Sequence, residues 1–209
     1  MTSSDSGPRG HDGGNTDWRH TYGYVLDGFL RQGRAPTATE IAKQLQLPEE
    51  MVLDNLRVLE ERGALRLDSE SAAILEAYPY SANSTKHMIQ LPDGAVLHCM
   101  CAIDVFYVPF LIGSDVSIES NCHYCDAAIH ISVLDGAIAQ ANPAATVVWY
   151  SSAAYDCPLT NFFCCEDHLR LWHEGVPDEP GRQVDLLMAL ERGSVAAARI
   201  RSEIEVPNE

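Results

Sequence analysis

Positive charge is scarce in this chain, and no apolar run is long enough to cross a bilayer. Its 209 residues include 14 Lys and Arg against 30 Asp and Glu, a formal net charge of -16. Nucleic acid and anionic membranes reward clustered cations, so neither is expected as a partner. The longest apolar stretch, around residues 102–112, is interrupted by Asp104 and falls short of the roughly 20 residues of a spanning helix. Residues 1–15 are rich in Ser, Gly and Asp and lack the apolar core of a secretory signal, so a cytoplasmic location is expected. No internal repeat and no glycine-rich phosphate loop is present. A 46% hydrophobic content suits one or two small globular domains.

Residues 1–16 have no apolar face to bury and are expected to form a disordered tail. Residues 17–78 read as a winged-helix-like domain. Tyr22, Leu26, Phe29 and Leu30 share one face of a first helix, ended by Gly33. Thr37 and Glu40 form a capping box for a second, and Pro48 opens a third whose stripe is Val52, Leu56 and Leu59. Two short strands follow, at Ala64–Leu67 and Ile74–Leu75. The third helix carries Glu49, Glu50, Asp54, Glu60 and Glu61 against Arg57 and Arg62, a balance that favours a structural or dimerising role over DNA readout.

Residues 79–209 read as a mixed or antiparallel sheet core with flanking helices, an α+β fold. His87–Leu91 and Ala95–His98 form a hairpin around Pro92-Asp93-Gly94. A helix is expected from Cys101 to Leu111, bent near Pro109 and closed by Gly113. Further strands are expected at Val116–Ile118, Ile129–Val133 and Thr146–Tyr150, a short helix through His168 and Trp172, and a helical segment from Val184 to Ile204 with Gly193 as its weak point.

Seven cysteines, an odd number, favour reduced thiols over a disulfide framework in a chain without an export signal. Cys101 and Asp104 are one helical turn apart. A helix start at Cys101 would favour thiolate there, whereas desolvation among Phe106, Tyr107 and Val108 would raise Asp104 and let it hold a proton. Of the adjacent Cys164 and Cys165, at most one shares a site with Cys101. Two distant thiolates with a carboxyl between them suit a soft, two-coordinate metal. Cys122-x-x-Cys125 joined to Cys164 or Cys165, with Cys165 the expected member, and to His168 has the donor types of a structural zinc site, and the two readings compete for the same cysteine pair. Cys–His hydrolysis through His98 or His168 has no spacing to support it.

The segment from Leu97 to Gly113, with Cys101-Ala102-Ile103-Asp104 and the downstream Pro109 and Ile112-Gly113, resembles the organomercurial (alkylmercury) lyases. Asn161 to Cys165 resembles the second catalytic-cysteine segment of that family, and Ser120-Asn121-Cys122 is similar to its structural cysteine. The resemblance implies protonolysis of a carbon–mercury bond to a hydrocarbon and Hg(II), with Cys101 and Cys164 as the mercury-binding thiols and Asp104 as proton donor. It implies no required cofactor, an organomercurial small molecule as substrate, and mercuric reductase or small thiols as acceptors of Hg(II). The alternative is a zinc- or thiol-binding member of the same fold, regulatory or biosynthetic, without mercury activity; Cys99, Cys125 and His168 keep it open.

Overall fold

A computed structural model describes residues 17–152 and 157–204. The tail expected over residues 1–16 lies outside them. The fold is α+β and opens with three helices: α1 (Asp17–Gln32), α2 (Ala38–Leu45) and α3 (Glu49–Glu61). Trp18, Tyr22, Val25, Leu26 and Phe29 are buried along α1, spaced so that one stripe of the helix faces inward. The capping box at α2 forms, with the Glu40 carboxylate accepting from the Thr37 backbone N–H at 2.8 Å. Pro48 sits one residue earlier than expected, at the N-cap of α3. Asn55, buried on α3, donates to Thr21 on α1 at 3.1 Å and pins the two helices together.

The two short strands, β1 (Leu65–Leu67) and β2 (Ile74–Ala77), do form an antiparallel pair. They do not stand apart from the core. β2 pairs with the two-residue β3 (Tyr80–Ser81), and β3 pairs with β5 (Val96–Cys99), so the hairpin is one end of an eight-stranded antiparallel sheet. That sheet continues through β4 (His87–Gln90), β6 (Val116–Asn121), β7 (Ala128–Leu134) and β8 (Ala137–Asn142), in the order β1-β2-β3-β5-β4-β6-β7-β8. A smaller sheet, β10-β9-β11, is built from β9 (Val147–Ser151), β10 (Asn161–Phe163) and β11 (Gly181–Val184). No helix among the described residues is long and apolar enough to cross a membrane.

Three departures from the sequence reading shape the site. The helix expected from Cys101 is instead a bend and turn, a single 3-10 turn at Asp104–Phe106, and the short α4 (Val108–Ile112). Pro109 lies in the first turn of α4, where its missing N–H is not needed, so it starts a helix rather than bending one. β3, β8, β10 and β11 are short, polar or edge strands whose pattern does not announce them. Lastly, Gly193 is no weak point of α6 (Leu186–Ile204). A Cβ there would lie 2.4 Å from the Phe106 carbonyl oxygen, so glycine lets α6 press directly on the turn that carries Asp104.

Candidate active site

Cys101 lies just past the end of β5, 3% exposed, and Asp104 opens the 3-10 turn at 1% exposed. Their neighbour is Cys157, at the start of the turn Cys157–Leu159. The sulfurs of Cys101 and Cys157 and a carboxylate oxygen of Asp104 lie within 4.8 Å of one another. The Ala102 N–H donates to the Thr160 carbonyl at 3.1 Å, and the Thr160 N–H to the Cys157 carbonyl at 3.0 Å, which stitches the two cysteine loops together.

This corrects the expected pairing of Cys101 with Cys164. Cys157 precedes β10 and Cys164 follows it, and an extended strand advancing about 3.3 Å per residue separates the two ends. The adjacent Cys164-Cys165 pair follows Phe162 and Phe163 directly and stands out in the sequence, whereas Cys157 stands alone. Its signal in the sequence was only that it is a further thiol shortly before a buried strand.

The electrostatics divide the three groups. Burial pushes the Cys101 thiol well above its ordinary range, with a hydrogen bond to Cys157 adding to the rise. Cys157 moves the other way, to about 7, because hydrogen bonds from Cys101 and then Tyr78 outweigh burial. The Tyr78 hydroxyl donates to the Cys157 sulfur at 3.1 Å. The helix-start argument for a thiolate at Cys101 therefore fails for lack of a helix, and Cys157 is the more acidic of the two thiols. Asp104 behaves as expected: burial, then the charge of Cys157, raises it well above the usual carboxylate range. Its Oδ2 has no hydrogen-bond partner among the described residues, and a neutral carboxyl is the form that a dry pocket tolerates.

A cleft of about 620 Å³ reaches Cys157, walled by Tyr78, Met100 and Pro158 on the core side and by Glu60, Leu65 and Arg66 from α3 and β1. The N-terminal helices and hairpin thus form one wall of the approach to Cys157.

The remaining metal-binding side chains lie elsewhere. Cys122, Cys125, Cys164 and His168 gather with their donor atoms within 4.8 Å of one another. Cys165, expected in that set, is instead the N-cap residue of α5 (Glu166–Gly175), while Cys164 points toward His168 Nδ1 at 3.0 Å. The alternation of adjacent side chains along the extended chain sends only one of the pair inward. Cys99 is fully buried core. His98 is far from nucleophile geometry: its Nδ1 faces the backbone of Thr85.

Comparison with known proteins is consistent with these features. The profile of the alkylmercury lyase family matches residues 80–197, a span that holds both side-chain clusters. An alkylmercury lyase of Bacillus cereus is 27% identical over 140 residues, 67% of this chain and 62% of that protein. One of Clostridium butyricum matches to the same extent, and one of Pseudomonas putida is 31% identical over 84 residues, 40% of this chain and 39% of that protein. This chain thus spans less than two thirds of the length of these relatives. The crystal structure of the mercury-bound form of MerB2 superposes with a TM-score of 0.71 at 23% identity, over 88% of this chain and 99% of that one, which establishes a shared fold. With more than half of its length matched by the family profile, the chain belongs to the alkylmercury lyase family.

Proposed function

We propose that this protein cleaves the carbon–mercury bond of organomercurials by protonolysis, with Cys157 and Cys101 as the mercury-binding thiols and Asp104 as the proton donor. The observation that carries the reading is the juxtaposition of two sulfurs and one buried carboxyl, one of whose oxygens has no partner among the described residues, behind a cleft that reaches Cys157. Mercury is soft and favours thiolate. The Cys157 thiolate, held by Tyr78, captures R–Hg⁺. Mercury then bonds to the Cys101 sulfur as the Cys101 proton passes out to solvent water through the cleft; bound by two sulfurs, the metal gains electron density and its bond to carbon weakens. Asp104 delivers its proton to that carbon as general acid. The carbon–mercury electron pair becomes the new C–H bond, the hydrocarbon leaves, and Hg(II) remains between two thiolates beside the Asp104 carboxylate. The chemistry calls on no organic cofactor. Small thiols or a mercuric reductase would then take up the ion.

The N-terminal three helices and hairpin, winged-helix-like in order, serve in this reading as a wall of the substrate cleft. The zinc-binding alternative no longer competes for the same residues, since the two clusters share no side chain. The test is release of benzene from phenylmercury by purified, reduced protein. Cys101→Ser and Cys157→Ser should each abolish turnover, and Cys165→Ser should leave it intact. Undiminished turnover by Cys157→Ser overturns the assignment.

A further inference from the structure

We infer that Cys122, Cys125, Cys164 and His168 bind one zinc ion in a closed Cys3His site that clamps the strand between the two cysteine clusters. Four donors of the right type converge from two separate parts of the chain: the turn between β6 and β7, and the junction of β10 with α5. Zinc–sulfur bonds of about 2.3 Å in a tetrahedron put two sulfurs about 3.8 Å apart. The Cys125 and Cys164 sulfurs are 3.8 Å apart. That is far beyond the roughly 2.05 Å of a disulfide bond, and all seven cysteines are unpaired. The Cys122 sulfur lies 3.9 Å from His168 Nδ1, and the Cys164 sulfur 3.0 Å from the same nitrogen. Backbone N–H groups of Cys164, Cys125 and Tyr124 aim at the Cys122 sulfur, an arrangement that serves an anionic ligand. Three thiolates and a neutral imidazole select zinc over oxygen-seeking cations and fill all four tetrahedral positions, which marks a structural site. Lys86, hydrogen-bonded to His123 at 2.7 Å, supplies a positive charge beside the anionic cluster.

The site has a mechanical consequence. β10 alternates its side chains between the two clusters: Phe162 packs on Phe106, in the turn of Asp104, and Phe163 on Trp172 of α5. The His123 N–H, within the Cys122–Cys125 turn, donates to the Phe162 carbonyl at 2.8 Å. A metal joining that turn to Cys164 fixes one end of β10, and Cys157 lies at the other.

The experiment is metal analysis of full-length protein purified under reducing, chelator-free conditions, with titration by zinc and by cobalt(II). One zinc per chain is expected, and cobalt should show the tetrahedral spectrum and charge-transfer intensity of three sulfurs. Chelator should lower the melting temperature by about 5 °C or more. Cys125→Ser, at an exposed position, and Cys164→Ser should lose tight binding, whereas Cys165→Ser should retain it. The double variant Cys101→Ser/Cys157→Ser should hold one zinc whatever becomes of turnover, which separates this inference from the lyase assignment. Wild-type protein that takes up neither metal, or zinc lost in Cys165→Ser and kept in Cys125→Ser, overturns it. So does a three-sulfur cobalt spectrum that vanishes only when Cys101 and Cys157 are replaced.

Discussion

The two thiol clusters are made from nearly the same side chains and suit opposite purposes. Cys122, Cys125, Cys164 and His168 offer four donors and leave a tetrahedral metal no open position. Cys101 and Cys157 offer two, and the third member is a carboxyl that prefers to keep its proton. The first arrangement satisfies a metal and stops there. The second, in the function proposed above, would take a soft metal that still carries an organic group and place an acid beside it. Donor number and the state of one proton, rather than cysteine content, separate a structural site from a reactive one.

The comparison breaks most readily at Asp104. Asp104→Asn keeps the shape and removes the proton, and benzene release from phenylmercury should fall about 10²–10⁴-fold while zinc content stays unchanged. The same variant should gain stability at neutral pH. The folded protein holds a proton on Asp104 that the unfolded chain releases above its ordinary 3.8, so wild-type stability falls as pH rises through that window. The slope is about 1.4 kcal/mol per pH unit, it ends at the raised folded value, and chemical denaturation of the variant should lack it. Equal turnover, or equal pH slopes, would remove Asp104 as the acid.

A smaller effect is expected from Gly193→Ala. The added methyl meets the Phe106 backbone and should destabilise the fold by about 1–3 kcal/mol through overpacking. Because Phe106 shares its turn with Asp104, turnover should suffer in the fraction that stays folded, with the zinc stoichiometry retained. Loss of zinc with unchanged turnover would mean that α6 supports the other cluster.

Tyr78→Phe should be mildest. Without the hydroxyl, Cys157 loses one stabilising hydrogen bond, and its titration should move up from about 7 by about one pH unit. In wild type, the proposed roles predict that the acid limb of kcat/KM should follow protonation of Cys157 and the alkaline limb ionisation of Asp104. Only the acid limb should shift in the variant. Iodoacetamide labelling of Cys157 against pH reads the same change directly, and an unmoved limb would assign the thiolate elsewhere.

Much of this was legible in the chain itself. The alternation of Ile129, Ile131 and Val133, the stripe from Tyr22 to Phe29 and the Thr37–Glu40 box are local patterns, and each gave the element it predicts. Cys101 with Asp104, three residues apart, was visible for the same reason, as was the desolvation of Asp104 among apolar neighbours. Which cysteine meets Cys101 was not, because Cys157 and Cys164 are separated by a three-residue strand too short to carry a periodic signal. Strand β10 decides it by sending one thiol to each end, and the Ala102–Thr160 bond fixes the approach. The choice of Cys164 over Cys165 follows from side-chain alternation, whose phase depends on how β10 is seated between its neighbours. Gly193 is the same lesson from a helix: its composition reads as weakness, and only the approach of Phe106 shows a contact that no side chain would permit. Local periodicity and capping are written in neighbouring residues, whereas the partners of a thiol across 56 residues of chain, from Cys101 to Cys157, are set by sheet order and packing.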